Sequence, residues 1–352
     1  MKLPRHAEIW LPGLLAARRR NRAHRFDPSR PITVQLMFAD HFEPYWANPS
    51  DAGAQRRVEA WLQEWPRIAA RHSDDNGRPP KWTFFYPEEE YRPDLLALLA
   101  EMTHAGIADV EVHIHHDGEG EADFLGRMGE FITTLDQQHG LLHRINGRPA
   151  FGFIHGNWAL DNARPDGRWC GLNNELTLLR ELGCYADFTL PAAPDPCQTK
   201  LVNAIYWAVD DPALPQSHNS GQLVTPGAVA PTDGLLCVQG PLTLRAHPRW
   251  RVLPTLEVGE LAGYAPPSRC RAECWLDAAP RIGNDVFVKL FTHGAPEKNS
   301  GPLLGGFIDR TLSDIRSACA TRGWRLAFVT AWECHRAVLE AVQPLLPAEV
   351  AS

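Results

Sequence analysis

Short apolar runs and amphipathic stretches take turns along most of the chain, and no other feature narrows the choice of fold as far. Ile32–Phe38 reads as a buried strand ending at Ala39-Asp40-His41. A helix is expected from about Ala54 to Ala70, with Val58, Trp61, Trp65 and Ile68 at helical spacing and Pro66 kinking or interrupting it near its end. Trp82–Tyr86 is a second strand, and Pro93 suits the first turn of a helix closed by Gly106. Val110–His115 is a third strand, followed by a helix from about Ala122 to His139. Phe151–Ile154, Tyr185–Leu190, Val286–Phe291 and Arg325–Thr330 are further strands, with helices expected at Asn174–Leu182 and about Leu304–Thr321. Repeated strand–helix order implies a parallel sheet. It admits a (β/α) barrel or a doubly wound sheet, and both place ligands beyond the carboxyl ends of the strands.

The rhythm breaks between Pro191 and Pro280, where proline-rich text carries short strand-like pieces at Ile205–Ala208 and Leu235–Val238. This reads as an irregular insertion, about 191–280, within one domain spanning 31–345. Residues 1–30 form an N-terminal extension. Its basic run Arg18-Arg19-Arg20 follows the apolar Ile9–Leu15 stretch, the reverse of a secretory signal, so a cytoplasmic protein is expected. No stretch has the ~18 uninterrupted apolar residues of a membrane span.

A formal charge of −7 argues against a nucleic-acid binder, which would carry a basic field. The eight cysteines contain no Cys-x-x-Cys pair, so a zinc ribbon is not expected and scattered buried thiols are. Twelve tryptophans suit a carbohydrate ligand, because aromatic faces stack on sugar rings.

Several histidines fall where chemistry would sit. His41, His113, His115, His116, His155 and His293 lie at or just beyond the expected carboxyl ends of four different strands. In His113-Ile114-His115 the two imidazoles lie two residues apart, so an extended backbone turns both to one face. With the Asp40 carboxylate they make a plausible set for Zn²⁺ with positions left open, and Asp117 competes with His115 for the last place. Such an ion acidifies water and polarises a carbonyl. Asp40, His41 or Glu43 would take the water's proton, and His293 would protonate the leaving group.

These segments resemble the polysaccharide deacetylase superfamily with NodB homology. Leu36–Asp40 looks like its first motif, Asp109–His115 its second and Phe153–Trp158 its third. Leu182–Asp187 is similar to its Leu-Gly-aromatic-Asp strand entry, and Phe287–His293 looks like its last motif. The resemblance implies a distorted (β/α) barrel of the glycoside hydrolase/deacetylase type. It also implies a divalent metal, most simply Zn²⁺, on Asp40 and His113 with His115 or Asp117, and an acid role for His293. The position of the family's base holds Ala39, so His41, Glu43 and Asp161 stand as replacement catalytic groups. His155, Asn157 and Trp158 are expected to bind substrate. The function so implied is hydrolysis of an N-acyl carbon–nitrogen bond in a carbohydrate or small N-acylated substrate. The alternative is a catalytically silent barrel that binds carbohydrate or a partner protein.

Overall fold

The computed structural model describes residues 3–246 and 254–343. The expected domain end at 345 and residues 247–253 of the proline-rich stretch lie outside the described residues. The chain is a mixed α/β protein built on one parallel-rich sheet.

An opening helix, α1 (Ala7–Ala23), precedes β1 (Thr33–His41), α2 (Asp51–Ala69), β2 (Trp82–Pro87), α3 (Pro93–His104), β3 (Ala108–Ile114) and α4 (Glu121–Gln137). A short β4 (His143–Ile145) pairs with β5 (Arg148–His155), and α5 (Glu175–Leu182) leads into β6 (Cys184–Asp187). The proline-rich stretch holds β7 (Ile205–Val209), β8 (Gln222–Leu223), β9 (Gly234–Val238), a separate ribbon of β10 (Thr243–Ala246) and β11 (Pro254–Glu257), and α6 (Arg269–Ala278). The chain then continues through β12 (Arg281–Ile282), β13 (Asp285–Thr292), α7 (Glu297–Pro302), α8 (Ile308–Arg322), β14 (Arg325–Val329) and α9 (Ala331–Val342).

The main sheet runs β12-β13-β1-β2-β3-β5-β6-β9-β7-β8, with β14 paired to the first half of β1. From β13 to β9 every pairing along this path is parallel, and β12, β7 and β8 add antiparallel edges. The expected insertion therefore belongs partly to the sheet: β7 and β9 coincide with the two strand-like pieces. Helix α6 has no counterpart among the expected elements, because its buried Arg271 and half-buried polar residues break the apolar stripe.

Strand alternation sorts side chains into two cores. Val34, Leu36 and Phe38 of β1 face the helices and pack with Trp61, Trp65 and Ile68 of α2. Met37 and Ala39 face the other way and join Phe85, Ile154, Phe188, Leu236, Phe287 and Val329, which come from β2, β5, the end of β6, β9, β13 and β14. Lys289 of β13 is buried on this inner side, and its ammonium donates to the carbonyls of Phe188 and Leu190.

Local signals set the element ends. Ser50 caps α2 by accepting from the Gly53 amide, and that helix continues through Pro66 to Ala69, since a proline so near the end removes only one intrahelical bond. The expected helix over Leu304–Thr321 begins instead at Ile308. Gly306, at φ 125°, interrupts the wider turn over Leu303–Phe307. The N-terminal extension is docked: Trp10 and Leu14 pack on Ala193, Val202 and Leu242. Gly13 permits the contact, because a Cβ there would stand 1.9 Å from the Lys200 carbonyl oxygen. No helix among the described residues is long and apolar enough to cross a membrane.

Candidate metal centre

The carboxyl ends of β1, β3 and β13 deliver the inner-facing site. His41 is the last residue of β1, His113 the penultimate residue of β3, and His293 follows β13. Register brings them together: Asp40 pairs with Thr292, so His41 and His293 stand side by side with ring centroids 4.7 Å apart. The His41 and His113 rings are 5.2 Å apart. Glu43 enters two residues after β1. Donor atoms of His41, Glu43 and His113 lie within 4.8 Å of one another, and all three residues are buried.

The orientation of His113 is informative. Its Nδ1 lies 2.8 Å from the Ile154 carbonyl oxygen, which can only accept, so Nδ1 carries the hydrogen. Its Nε2 then points at Glu43 Oε1, 3.3 Å away. A neutral ring with its hydrogen on Nδ1 would set a lone pair against a carboxylate, so a proton or a metal cation is required between them. Glu43 Oε2 has no hydrogen-bond partner although it is buried. An orphaned buried oxygen beside two imidazoles fits a cation better than a closed hydrogen-bond network.

Charges around the three residues differ in a consistent way. Burial, with His293 and His113 nearby, pushes the His41 imidazole well below its ordinary value and so keeps it neutral. Burial alone would raise Glu43, but its bond to His113 and the flanking imidazoles outweigh that and hold its carboxyl low. His115, one residue beyond β3, has Nε2 3.5 Å from Glu43 Oε1, and its Nδ1 is hydrogen-bonded to Glu89. Burial opposes its charged form, yet the Glu89 bond and the neighbouring carboxylates raise its pKa above the usual histidine value. Burial lowers His293, offset only in part by Glu43 and Glu260. Glu90, which accepts from the Tyr45 amide, is pushed up to about 7 by burial.

The residues read from the sequence are thus redistributed. His41, Glu43, His113, His115 and His293 come together. Asp40 does not join them: next to His41 on an extended strand, it must face the opposite side. There its carboxyl accepts from the Gly294 amide at 2.6 Å and the Trp82 indole at 3.0 Å, and burial pushes it up to about 8. Asp117 is exposed beyond the turn and accepts from the Trp169 amide. His155 ends β5 on the helix side of the sheet, against His116. Asp161 is buried behind the β5 loop, where it accepts from the Ser217 amide, and burial pushes it up to about 6. Asn157 and Trp158 form the turn after β5, both at positive φ. The Trp158 ring stands 6.0 Å from His293 and 6.3 Å from His41.

Trp158 and Phe291 also line a cleft of about 450 Å³ whose far wall includes Pro194, Glu260 and the exposed Tyr264. A larger space of about 570 Å³ between α1 and α6 holds no comparable group of ligands among the described residues. Sequence reasoning missed Glu89. Its signal was the run Glu88-Glu89-Glu90 directly after a strand, where acidic residues read as solvated surface.

The sequence matches no protein-family model and no curated protein. Among solved structures, a 4-alpha-glucanotransferase from Thermococcus litoralis is similar over 87% of this chain, with 12% identity and a TM-score of 0.39. This chain spans 40% of that one.

Proposed function

We propose that the chain is a metal-dependent hydrolase that cleaves an acyl carbon–nitrogen bond, with an N-acylated carbohydrate as substrate, on a distorted (β/α) barrel. The barrel reading is supported by the inner core that β1, β2, β5, β6, β7, β9, β13 and β14 share and by Lys289 reaching from β13 to the chain after β6. The observation that carries the function is the inward aim of His113 Nε2 at Glu43, with His41 closing the set. In this reading His41, Glu43 and His113 hold the ion, with zinc the best match to two imidazoles and a carboxylate. A bound divalent ion would supply Lewis acidity toward the acyl oxygen and acidify water.

The chain's own residues supply the proton steps. Hydrolysis joins a water oxygen to the acyl carbon, breaks the carbon–nitrogen bond and delivers a proton to the departing nitrogen. His293, kept neutral by burial, takes the proton from the attacking water. His115, held toward its charged form by Glu89, protonates the leaving amine. This exchanges the role read for His293 from the sequence, on the rule that environments which push two pKa values apart mark the base and the acid. Trp158 and Tyr264 give the cleft aromatic faces for a sugar ring. Acetate release from N-acetylglucosamine oligomers tests the reading. Release that stops on chelation and returns with zinc supports it; no release from metal-loaded protein favours a silent binding module.

A further inference from the structure

A second group of ligands lies on the helix side of the sheet, in the core behind β3 and β5, and the hydrolytic site makes no use of it. His116 follows β3, His155 ends β5, Cys170 sits in the following loop, and Glu175 opens α5. Their donor atoms lie within 4.8 Å of one another and all four residues are buried.

His155 Nε2 is 2.9 Å from His116 Nε2, and Glu175 Oε1 is 3.0 Å from the latter and 3.4 Å from the former. Ligands spread tetrahedrally about zinc, at bond lengths of about 2.0–2.3 Å, stand roughly 3.3–3.6 Å apart. A slight expansion of the triangle therefore admits the ion. Three of the four ligands are held by bonds to the backbone, while His116 Nδ1 is buried without a partner. His155 Nδ1 bonds the Gly156 carbonyl, so that nitrogen carries the hydrogen and the lone pair of Nε2 points inward. Glu175 Oε2 is occupied by the Asp161 amide at 2.6 Å, which turns Oε1 toward the two histidines. Cys170 Sγ accepts from the Asn162 amide at 3.3 Å and the Leu172 amide at 3.4 Å, and lies 3.5 Å from Glu175 Oε2. The two backbone donors only partly offset burial and the Glu175 carboxylate, which push the thiol up, so a metal ion would have to take the place of its proton.

We propose that His116, His155, Cys170 and Glu175 form a structural zinc site distinct from the hydrolytic one. Four protein donors leave no position for water or substrate, which separates this site from the open inner centre. Its place in the fold shows its use. The loop between β5 and α5 carries Asn157, Trp158, Asp161 and Asn162 at positive φ, a costly conformation for side-chain-bearing residues. The zinc site would bolt this loop to β3, β5 and α5, and so hold Trp158 against His293 and the cleft.

Cobalt substitution of the full chain tests this, because only the second site contains a thiolate. Chelator-stripped wild-type protein titrated with Co²⁺ should develop a thiolate-to-cobalt charge-transfer band in the near ultraviolet, complete once both sites are filled at two ions per chain. His113→Ala should keep the band; Cys170→Ser, checked for folding by circular dichroism, should lose it. Cobalt-loaded wild-type protein without that band overturns the proposal, as does a band that survives in Cys170→Ser. Neither result bears on the inner site, whose loss would appear in His113→Ala alone.

Discussion

Asp40 and His41 are neighbours in the chain and strangers in space. The buried Asp40 carboxyl ties the start of the β13–α7 turn to β2, through the Gly294 amide and the Trp82 indole. Asp40→Asn is therefore expected to leave metal content unchanged, as read by elemental analysis, because no ligand is removed. At His293 the expected loss is catalytic: His293→Ala should retain its metal and lose roughly 10²–10⁴-fold in rate. If His293 accepts the water's proton, that loss persists with leaving groups that need no proton, whereas the loss in His115→Ala shrinks with them. The histidine cluster was legible from the sequence because parallel strands in one sheet bring their carboxyl ends to a shared edge, and the imidazoles sat at those ends. Asp40 was misplaced because its carboxylate was grouped with the imidazoles by its place at a strand end, without applying the two-residue alternation that sets it opposite His41. Cys170 and Glu175 were illegible as ligands: their partners arrive from β3 and β5, and only the folded chain brings them together.

At the scale of elements, two junctions bear directly on the site's framework. The turn after β13 is tight against Asp40. A Cβ on Gly294 would stand 2.2 Å from the Asp40 carboxylate and 2.8 Å from the Trp61 ring, both fully buried. Gly294→Ala should cost about 1–3 kcal/mol, the usual range for overpacking, measured by chemical denaturation. Helix α9 follows β14 directly and packs Ala331, Cys334 and Val338 into the core that Met37 and Ala39 join, and its His335 packs on Tyr185 and Trp332. Burial, with Arg336 nearby, lowers His335 to about 4. The unfolded chain then binds the proton between about pH 6.5 and 4 while the folded chain does not. The stability this residue contributes is complete above pH 6.5 and is lost as pH falls through 4, by up to about 3 kcal/mol. His335→Leu should flatten that part of the stability–pH curve; an unchanged slope would show that His335 does not set it. The main strands and α2 to α5 were readable from apolar periodicity. Helix α6 was not, because Arg271 is buried by pairing with Glu257 rather than by being apolar.

For the whole molecule, the strand–helix alternation was enough to fix a parallel-rich sheet and to place the candidate site at its carboxyl edge. It did not show that β7, β8 and β9 extend that sheet, since short strands amid prolines have no period of their own. Nor did it show that the sheet's two faces carry separate ligand groups, one facing inward and open, the other facing the helices and closed. That division follows from alternation acting on consecutive polar residues, with His113 and His115 sent to one face and His155 to the other. The proposed chemistry depends above all on the inner group holding an ion. Zinc bound per chain in His113→Ala, compared with wild-type protein reconstituted alongside it, tests this most directly. One equivalent fewer in the folded variant is the predicted result. Equal zinc content in the two proteins would contradict it.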